Sequence, residues 1–469
     1  MKIILATLLA ALALVAAPEA KANPMKYPAT RIDDVKDVLF GVTVRDPYRW
    51  LEDQKSPEVQ KWMHAEDKLA RDYLHGLPGR DAIEARLRQL YYVESVSAPI
   101  HRGHRYFYAR THVDKEKAIY YWREGEHGAE KVLLDPNTMS ADGSTSLGLV
   151  RPSWDGKRVA YTLKRNNSDE STLYVMDVQS GKVSERDTIE GAKYAEPSWT
   201  PSGDGFYYTW LPEVSGEVSV SDRPGFAEVR FHELGTDPKN DPVVHEKTGD
   251  PKLFLGASLS RDGRWLFLYI SHGWNSTDVY FRDLHKKTHE WTPFAVGNDA
   301  QYEVTAWKGR FYIRTNEGAP RWRMFEADAR HPARAAWKEI VPESETAVLD
   351  GATLVGEHLA LTWMHDASSE LEVRGLDGKL LRKVALPGIG SVGQVVGNPD
   401  EDQVFYDFQS YTQPHQIWKS SVARGGAELW AEVKVPVDPS PYTVEQVWYP
   451  SKDGTRISMF IIRRKDLPR

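Results

Sequence analysis

The pattern of hydrophobic and polar positions changes period along the chain, and its first clear region is helical. Between residues 56 and 91, apolar residues recur every three or four positions, which is the period of a helix with one apolar face. Ser56 and Pro57 suit the start of a helix and Gly76 suits its end. The pattern therefore predicts one helix up to Gly76 and a second from about Arg80. Each has an apolar stripe that needs a partner surface.

After Val93 the pattern changes to short alternating strands separated by turns, and a loose unit recurs seven times. Each unit is a small polar turn followed by a strand that alternates aromatic or aliphatic residues with polar ones. The seven turns begin at His101, Ser153, Pro201, Ser260, Trp307, Val355 and Asn398. Their spacing of about 42 to 60 residues is typical of four-stranded propeller blades. We predict a mainly β fold with a seven-bladed β-propeller over residues 95–437. Two packed sheets are the competing interpretation, but they would not explain seven similar units.

A breaker-rich linker, Asp438-Pro439-Ser440-Pro441, follows the predicted propeller. Two further strands are predicted at residues 442–449 and 456–463, around the turn Ser451-Lys452-Asp453-Gly454. The second strand is apolar on both faces, which suits a strand inside a larger sheet. A solitary hairpin is only marginally stable in water, so we expect this one to need additional structure around it.

The first 22 residues have the pattern of an export signal. Lys2 precedes an apolar run from Ile3 to Ala17, and Ala20-Lys21-Ala22 supplies the small residues that a signal peptidase accepts. The run is shorter than the roughly twenty residues that a bilayer-spanning helix needs. We predict a cleaved signal peptide over residues 1–22 and a periplasmic or secreted protein. An uncleaved membrane anchor is the alternative.

Composition narrows the possible partners. The chain has 469 residues, a net charge of −7, 41% hydrophobic residues and no cysteine. The length favours two or more structural units. A mild negative charge without basic runs argues against nucleic acid and against an anionic membrane surface as partners. Without cysteine the protein has neither disulfides nor a lipidated cysteine anchor.

The sequence gives weak signals for metals and none for phosphate cofactors. His101 and His104 have a spacing seen among metal ligands, but two further ligands are missing. Residues 237–241 resemble half of a calcium loop, without its glycine and terminal glutamate. Gly388 and Gly390 do not open a predicted helix, so they do not indicate a phosphate loop. We predict no metal and no cofactor.

Two motifs about 400 residues apart carry a family resemblance. The first is Asp46-Pro47-Tyr48-Arg49-Trp50-Leu51-Glu52-Asp53, in which Asp46 is predicted to cap a helix that begins at Pro47. The second is Tyr449-Pro450-Ser451-Lys452-Asp453-Gly454-Thr455 with the apolar strand after it. Together, flanking a propeller, they resemble the prolyl oligopeptidase family of serine peptidases.

The resemblance implies a domain plan. In that family the terminal hairpin opens an α/β-hydrolase catalytic domain, so residues 438–469 would be a linker and the truncated start of that domain. Residues 23–94 would be a helical segment that packs on the catalytic domain. The propeller in this family covers the active site and admits only short peptides, and its enclosure also keeps water out.

The catalytic groups of the family are missing from this sequence. A serine nucleophile needs an oriented histidine and preorganised oxyanion donors, and the family carries its serine on a Gly-x-Ser-x-Gly elbow. The nearest string, Gly390-Ser391-Val392-Gly393, lacks that spacing. We expect this chain to be the N-terminal and propeller portion of a serine peptidase that cleaves short peptides after proline. This chain lacks the Ser/Asp/His triad, and we expect it to be inactive alone.

The resemblance also implies substrate-binding residues in the propeller. By local match to the family's blade sequences, Tyr194, Phe254 and Trp274 line the outer substrate pocket. The family more usually has phenylalanine, methionine and cysteine there, and an aromatic trio favours an apolar or aromatic substrate side chain. Ordinary blade packing is the alternative for each residue.

Two further expectations and two alternatives complete the functional hypothesis. The partners are short proline-containing peptides, and the protein is a monomer. One alternative function is a catalytically inactive propeller that serves as a binding scaffold. Another is a relative that cleaves after basic residues.

Overall fold

The structure is a computed structural model that describes residues 25–166, 168–288 and 290–468. The predicted signal peptide, residues 1–22, lies outside the described residues. The chain up to Arg88 and the chain from Gln89 onward form two compact units. None of the described helices combines the length and the hydropathy that crossing a bilayer requires.

The N-terminal unit contains the predicted helices. Its elements are the hairpin β1 (Lys36–Leu39) and β2 (Val42–Arg45), a 3-10 helix (Arg49–Glu52), α1 (Pro57–His75) and the start of α2 (Arg80–Tyr91). Ser56 caps α1, because its Oγ accepts a hydrogen bond of 3.3 Å from the backbone N–H of Val59. Gly76 is the C-cap of α1. The sequence therefore predicted both helices and the ends of α1 correctly.

The predicted cap at Asp46 is wrong. The segment after Asp46 forms a short 3-10 helix whose N-cap is Tyr48, and no side chain caps it. The Asp46 carboxylate instead accepts a hydrogen bond of 2.8 Å from Arg49 Nε, and Arg49 also pairs with Asp37. The Arg49 guanidinium, three residues away, competes with the backbone N–H groups for the carboxylate and adds a second full charge to the interaction.

Between Ser95 and Glu432 the described residues form seven antiparallel sheets, each built from consecutive strands, and these are the blades of a β-propeller. In blade 1 the first strand is split into two pieces, both paired with the second strand. Blade 1 consists of β3 (Ser95–Val96), β4 (Ile100–Arg102), β5 (Arg105–Thr111), β6 (Ile119–Glu124) and β7 (Lys131–Leu134). Blade 2 consists of β8 (Ser146–Pro152), β9 (Arg158–Lys164), β10 (Ser171–Asp177) and β11 (Val183–Ile189).

The next three blades have four strands each. Blade 3 consists of β12 (Ser198–Trp199), β13 (Gly205–Trp210), β14 (Glu228–Glu233) and β15 (Val243–His245). Blade 4 consists of β16 (Leu253–Leu259), β17 (Trp265–His272), β18 (Ser276–Asp283) and β19 (Thr292–Ala295). Blade 5 consists of β20 (Tyr302–Trp307), β21 (Arg310–Thr315), β22 (Arg323–Asp328) and β23 (Lys338–Val341).

The last two blades complete the ring. Blade 6 consists of β24 (Ala347–Val355), β25 (His358–His365), β26 (Ser368–Gly375) and β27 (Leu380–Val384). Blade 7 consists of β28 (Val395–Gly397), β29 (Gln403–Ser410), β30 (Gln413–Ser421) and β31 (Gly425–Glu432). Four short 3-10 helices lie in the connections, at Pro136–Thr138, Arg223–Phe226, Pro238–Asn240 and Arg334–Ala336. The predicted seven-bladed propeller is confirmed.

The first strand of each blade lies nearest the axis of the ring. This follows because first strands of neighbouring blades lie side by side, as β12 does with β16, β24 with β28, and β28 with β4. Each of the seven predicted turns joins a first strand to a second strand. Since all blades have the same topology, these turns lie at one end of the ring, which we call the turn end.

Neighbouring turns at the turn end fit closely against one another. Gly103 of blade 1 and Gly156 of blade 2 both have positive φ, 60° and 68°. A Cβ on Gly103 would lie 2.4 Å from the backbone oxygen of Asp155, and a Cβ on Gly156 would lie 2.4 Å from that of Arg102. Glycine is therefore required at both positions by backbone conformation and by the approach of the adjacent turn.

The hydrophobic core of the propeller is divided among the contacts between blades. Every pair of neighbouring blades, including blades 7 and 1, shares a cluster of buried apolar side chains. The largest joins blades 4 and 5, where fully buried Phe311 contacts the rings of Trp265 and Phe281. No blade buries both faces of its sheet alone, so the ring depends on these shared clusters.

The predicted terminal hairpin forms a separate two-stranded sheet, β32 (Tyr442–Pro450) and β33 (Arg456–Arg464). Gln446 Nε2 donates a hydrogen bond to the backbone oxygen of Asp366, and the rings of Phe460 and Tyr411 are 5.7 Å apart. Asp366 and Tyr411 lie in turns between second and third strands, so the hairpin contacts the ring at the end opposite the turn end.

Candidate functional site

A cavity of about 560 Å³ lies among the inner strands of blades 2, 3 and 4. Its walls come from the beginnings of β8 and β16, from the ends of β9, β13 and β17, and from the connection between blades 2 and 3. First strands run toward the turn end and second strands run away from it. The cavity therefore lies at the opposite end of the ring, which we call the cavity end.

Glycines in the two inner strands shape the cavity in different ways. A Cβ on Gly256 of β16 would have no heavy atom within 4 Å, so this glycine leaves open space. A Cβ on Gly148 of β8 would lie 2.4 Å from Thr162 Oγ1, so that glycine allows β8 to approach β9 closely. Glycine inside a strand often marks such a close approach of backbone or ligand.

The structure brings together two of the three residues that the sequence assigned to substrate binding. Tyr194 and Phe254 both line the cavity, with ring centroids 5.9 Å apart and an interplanar angle of 67°. This edge-to-face pair provides an apolar wall with aromatic character. Phe254 is 41% exposed, so much of its ring faces open space.

Trp274 lies apart from that pair. It is 94% exposed, stands in the turn between β17 and β18, and is not among the residues that line the cavity. Its backbone oxygen accepts a hydrogen bond from Gln301 Nε2. The roles of Tyr194, Phe254 and Trp274 in binding stay predictions, and the geometry gives the first two a shared surface.

Two hydroxyl groups in the wall donate hydrogen bonds to nearby backbone oxygens. Tyr269 donates to the backbone oxygen of Val304 at 3.1 Å, and Thr209 donates to that of Leu255 at 3.2 Å. Burial raises the pKa of Tyr269 to about 12, so its hydroxyl remains a donor at neutral pH. These bonds hold the Tyr269 and Thr209 hydroxyl groups against the backbone of blades 5 and 4.

Three charged side chains line the same cavity: Lys164, Lys193 and Glu196. Lys193 Nζ lies 5.8 Å from the centroid of the Tyr194 ring, within the range of a cation–π contact. Lys164 Nζ is 3.9 Å from an Asp169 carboxylate oxygen, and Asp169 is largely exposed. The cavity therefore combines an aromatic wall with lysine and glutamate groups.

A long connection in blade 3 is fixed beside the cavity. Residues 211–227 join β13 to β14, and Arg223 within them is 8% exposed. The Arg223 guanidinium donates to both carboxylate oxygens of Glu170 in blade 2 and to the backbone oxygen of Pro212. The hydrogen bonds from Arg223 lower the pKa of Glu170, although burial opposes the shift. This pair connects blades 2 and 3 near the cavity.

The residues considered for metal binding have structural partners. His101 Nδ1 is 2.5 Å from a Glu401 carboxylate oxygen, and the His101 ring stacks on Tyr106. Asp237 caps a 3-10 helix through the Lys239 N–H, and Asp241 is buried against His232. Among the residues that the structure describes, no group of three or more potential ligands could hold a metal ion.

Sequence reasoning missed Gly256, Tyr269 and the charged residues of the cavity. A signal for Gly256 was present, because a glycine inside the apolar strand Leu253-Phe254-Leu255-Gly256-Ala257 suggests a site where something approaches the backbone. Tyr269 and Lys164 gave no comparable signal. Both lie at the far ends of second strands, and only the assembled ring places them beside β16 and β8.

The family profile described as "Prolyl oligopeptidase, N-terminal beta-propeller domain" matches residues 27–433. The chain is 31% identical to a prolyl endopeptidase of Elizabethkingia meningoseptica over 465 residues, covering 99% of this chain and 65% of that protein. It is 29% identical to prolyl oligopeptidase A of Amanita bisporigera, covering 95% of this chain and 63% of that protein. The chain thus spans about two thirds, or slightly less, of the length of these relatives.

Solved structures give the same picture. One similar structure comes from a study of two prolyl endopeptidases, on the role of inter-domain dynamics in catalysis and specificity. Its TM-score is 0.89 and its sequence identity is 54%, and the match covers 94% of this chain and 65% of that one. Prolyl oligopeptidase B from Galerina marginata, bound to a 35mer hydrolysis and macrocyclization substrate, has a TM-score of 0.82 and 25% identity. That similarity covers 95% of this chain and 66% of the other.

Proposed function

The chain belongs to the prolyl oligopeptidase family, and from that premise we propose that it is the propeller-bearing part of a serine peptidase that cleaves short peptides after proline. The cavity carries the proposal. The cavity and the terminal hairpin lie at the same end of the ring, the cavity end. In this proposal the hairpin begins the catalytic domain, and peptides extend from the scissile bond toward Tyr194 and Phe254.

The chemistry of the cavity supports a peptide ligand. The Tyr194 and Phe254 rings offer an apolar surface to a substrate side chain, and Lys164, Lys193 and Glu196 offer charged partners to peptide polar groups. A volume of about 560 Å³ is large enough for a few residues. Ligand pockets typically combine apolar and aromatic walls with a few polar groups, and those polar groups fix the orientation of the ligand.

The size limit on substrates is part of the same proposal. A propeller over the catalytic groups would admit flexible short peptides and would exclude folded proteins, while keeping the reaction away from bulk water. With the natural protein, we expect proline-containing peptides of several residues to be cleaved and a folded, proline-rich protein of larger size to remain intact. Equal cleavage of both would contradict the size limit.

The peptidase class is tested with a serine-directed covalent probe. We expect the natural protein to be labelled, and labelling to fall when a short proline peptide is added as a competitor. We expect the 469-residue chain alone to remain unlabelled, because its sequence has no Gly-x-Ser-x-Gly elbow. If the natural protein is not labelled, a propeller acting as a binding scaffold becomes the better interpretation.

The role of the cavity is tested by filling it. In the natural protein, Gly256→Val places a branched side chain in open space without backbone strain. We expect KM for a short proline peptide to rise about tenfold, with little change in kcat, because binding common to ground and transition states is lost. Gly216→Val is the matched control, because Gly216 also has open space at its Cβ and does not line the cavity. Equal KM values for the two variants would contradict the assignment.

Export and oligomeric state are also part of the proposal. We propose that residues 1–22 are removed during export and that the mature periplasmic or secreted protein begins at Asn23 and is monomeric. N-terminal sequencing of the protein recovered from a periplasmic fraction tests the cleavage site. Light scattering tests the mass. A retained N-terminus in the membrane fraction would favour an uncleaved anchor.

A further inference from the structure

One ion pair connects two blades that are not neighbours. Arg261 lies in the turn of blade 4 and Asp400 lies in the turn of blade 7, with Arg261 Nη2 2.9 Å from Asp400 Oδ2. The two residues are 139 positions apart in the chain. Blades 5 and 6 separate them on one side of the ring, and blades 1 to 3 separate them on the other. The pair therefore crosses the axis at the turn end.

A tryptophan from a third blade is stacked between two guanidinium groups at the same place. The Cζ atom of Arg261 lies 4.5 Å from the centroid of the Trp154 ring, and that of Arg102 lies 4.2 Å from it. Trp154 belongs to the turn of blade 2 and Arg102 to that of blade 1. Two cation–π contacts on one indole join these turns to the ion pair.

The group is continuous with the contact between the first and last blades. Arg102 Nη1 donates to Asn398 Oδ1 and to the backbone oxygen of His101. Asn398 Nδ2 donates to that same backbone oxygen and to Glu401 at 2.9 Å each. His101 Nδ1 is hydrogen-bonded to Glu401. These residues place blade 1 against the turn of blade 7, two positions from Asp400.

Among the described residues, no backbone-to-backbone hydrogen bond joins blade 1 to blade 7. The described strands of the two blades belong to separate sheets, and neither blade contributes a strand to the other. Apolar packing around Tyr106 and Phe405 and the polar bonds at the turns hold this contact together. A ring closed by side chains alone can open there at a lower free-energy cost than one closed by a strand.

We propose that Arg261, Asp400, Trp154 and Arg102 form a latch that holds the ring closed across its axis at the turn end. Asp400 and Arg102 belong to the two turns that meet at the contact between blades 1 and 7. Arg261 reaches Asp400 from the opposite side of the ring, and Trp154 of blade 2 contacts both Arg261 and Arg102. The latch carries two positive charges and one negative charge, and Glu401 beside it supplies the second negative charge.

Hydrogen exchange of the full chain, followed by mass spectrometry, tests the latch. In Arg261→Gln, we expect amide exchange in residues 100–106 and 398–405 to become about three- to tenfold faster, because local opening becomes more frequent. The matched control is Arg264→Gln. Arg264 pairs with Asp283 of its own blade at 2.8 Å, so we expect faster exchange only within blade 4. Equal exchange at the contact between blades 1 and 7 in both variants would overturn the proposal.

A covalent latch provides the second measurement. The 469 residues include no cysteine, so Arg261→Cys with Asp400→Cys introduces the only two thiols of this chain. We expect a bismaleimide spacer about as long as the two replaced side chains to join them within one chain. We expect the joined protein to return to wild-type exchange or slower at residues 398–405, and the unjoined protein to exchange faster. If joining leaves exchange fast, the ion pair does not hold the ring.

Discussion

The two ends of the propeller ring differ in how closely their residues pack. At the turn end, glycine turns fit against one another and charged groups are paired across blades, as in Arg261 with Asp400. At the cavity end, Gly256 leaves open space and the aromatic rings of Tyr194 and Phe254 face a cavity of about 560 Å³. In our proposal, the same repeated blade provides structural closure at one end of the ring and a binding surface at the other.

Sequence reasoning located this architecture because its signals are local. Each of the seven turns was visible as a short polar segment before an alternating strand, and six of them carry a glycine with positive φ. The strand after each turn has its own period of two. Such signals depend on neighbouring residues alone, so they survive without knowledge of the tertiary structure.

The largest expected effect concerns a buried charge network in the turn-end half of blade 3. His232 is fully buried between Asp187 of blade 2 and Asp241, each at 3.0 Å, and Tyr208 donates to Asp241. We expect His232→Ala to lower the free energy of unfolding by about 3 to 5 kcal/mol, because two buried carboxylates lose their partner. Urea unfolding measures this loss. A loss below about 1 kcal/mol would contradict the role of the network.

The raised pKa of His232 predicts that the stability of the protein depends on pH. Burial lowers the pKa of His232, but the hydrogen bonds to Asp187 and Asp241 outweigh burial and raise the pKa to about 9. A raised pKa means that the ionic stabilisation is complete below the unfolded-state pKa of about 6.5 and is lost as pH rises through about 9. The stability difference between wild type and His232→Gln should therefore shrink from about pH 6 to about pH 10. A constant difference would show that the imidazolium charge contributes nothing.

The next effect compares one glycine from each end. We expect Gly103→Ala to cost about 2 to 4 kcal/mol, because its φ is positive and its Cβ would lie 2.4 Å from the Asp155 backbone oxygen. Gly256→Ala has open space and no positive φ, so its effect should stay within about 1 kcal/mol. Chemical unfolding of both variants gives the comparison. Similar losses at the two positions would break the distinction between the ends.

The smallest effect concerns the hairpin at the cavity end. Met459 and Ile462 of β33 are 43% and 47% exposed. We expect Met459→Lys with Ile462→Lys to change the free energy of unfolding by less than about 1 kcal/mol and to reduce binding of an apolar dye by the 469-residue chain. The control is Val159→Lys, which is buried between blades 1 and 2 and should unfold the ring. Unchanged dye binding would show that these side chains do not form the exposed apolar surface.

Some features of the site could not be predicted because they join residues that are distant in the sequence. The partners of His232 come from two blades, and Arg261 meets Asp400 only because seven blades close into a ring. The failed Asp46 cap has a different cause, because the competing Arg49 lies only three residues away in the same motif. Local matching assigned Trp274 to the outer pocket together with Tyr194 and Phe254; Trp274 is not among the residues that line the cavity, and its role in binding stays a prediction.

The central claim is that the cavity end receives the peptide while the turn end holds the ring. Its most direct test is hydrogen exchange of the natural protein with and without a short, uncleavable proline peptide. We predict slower exchange in residues 192–196 and 253–257, and unchanged exchange in the turns at residues 101–105 and 398–402. Protection at those turns, or no protection around Tyr194 and Phe254, would contradict the account.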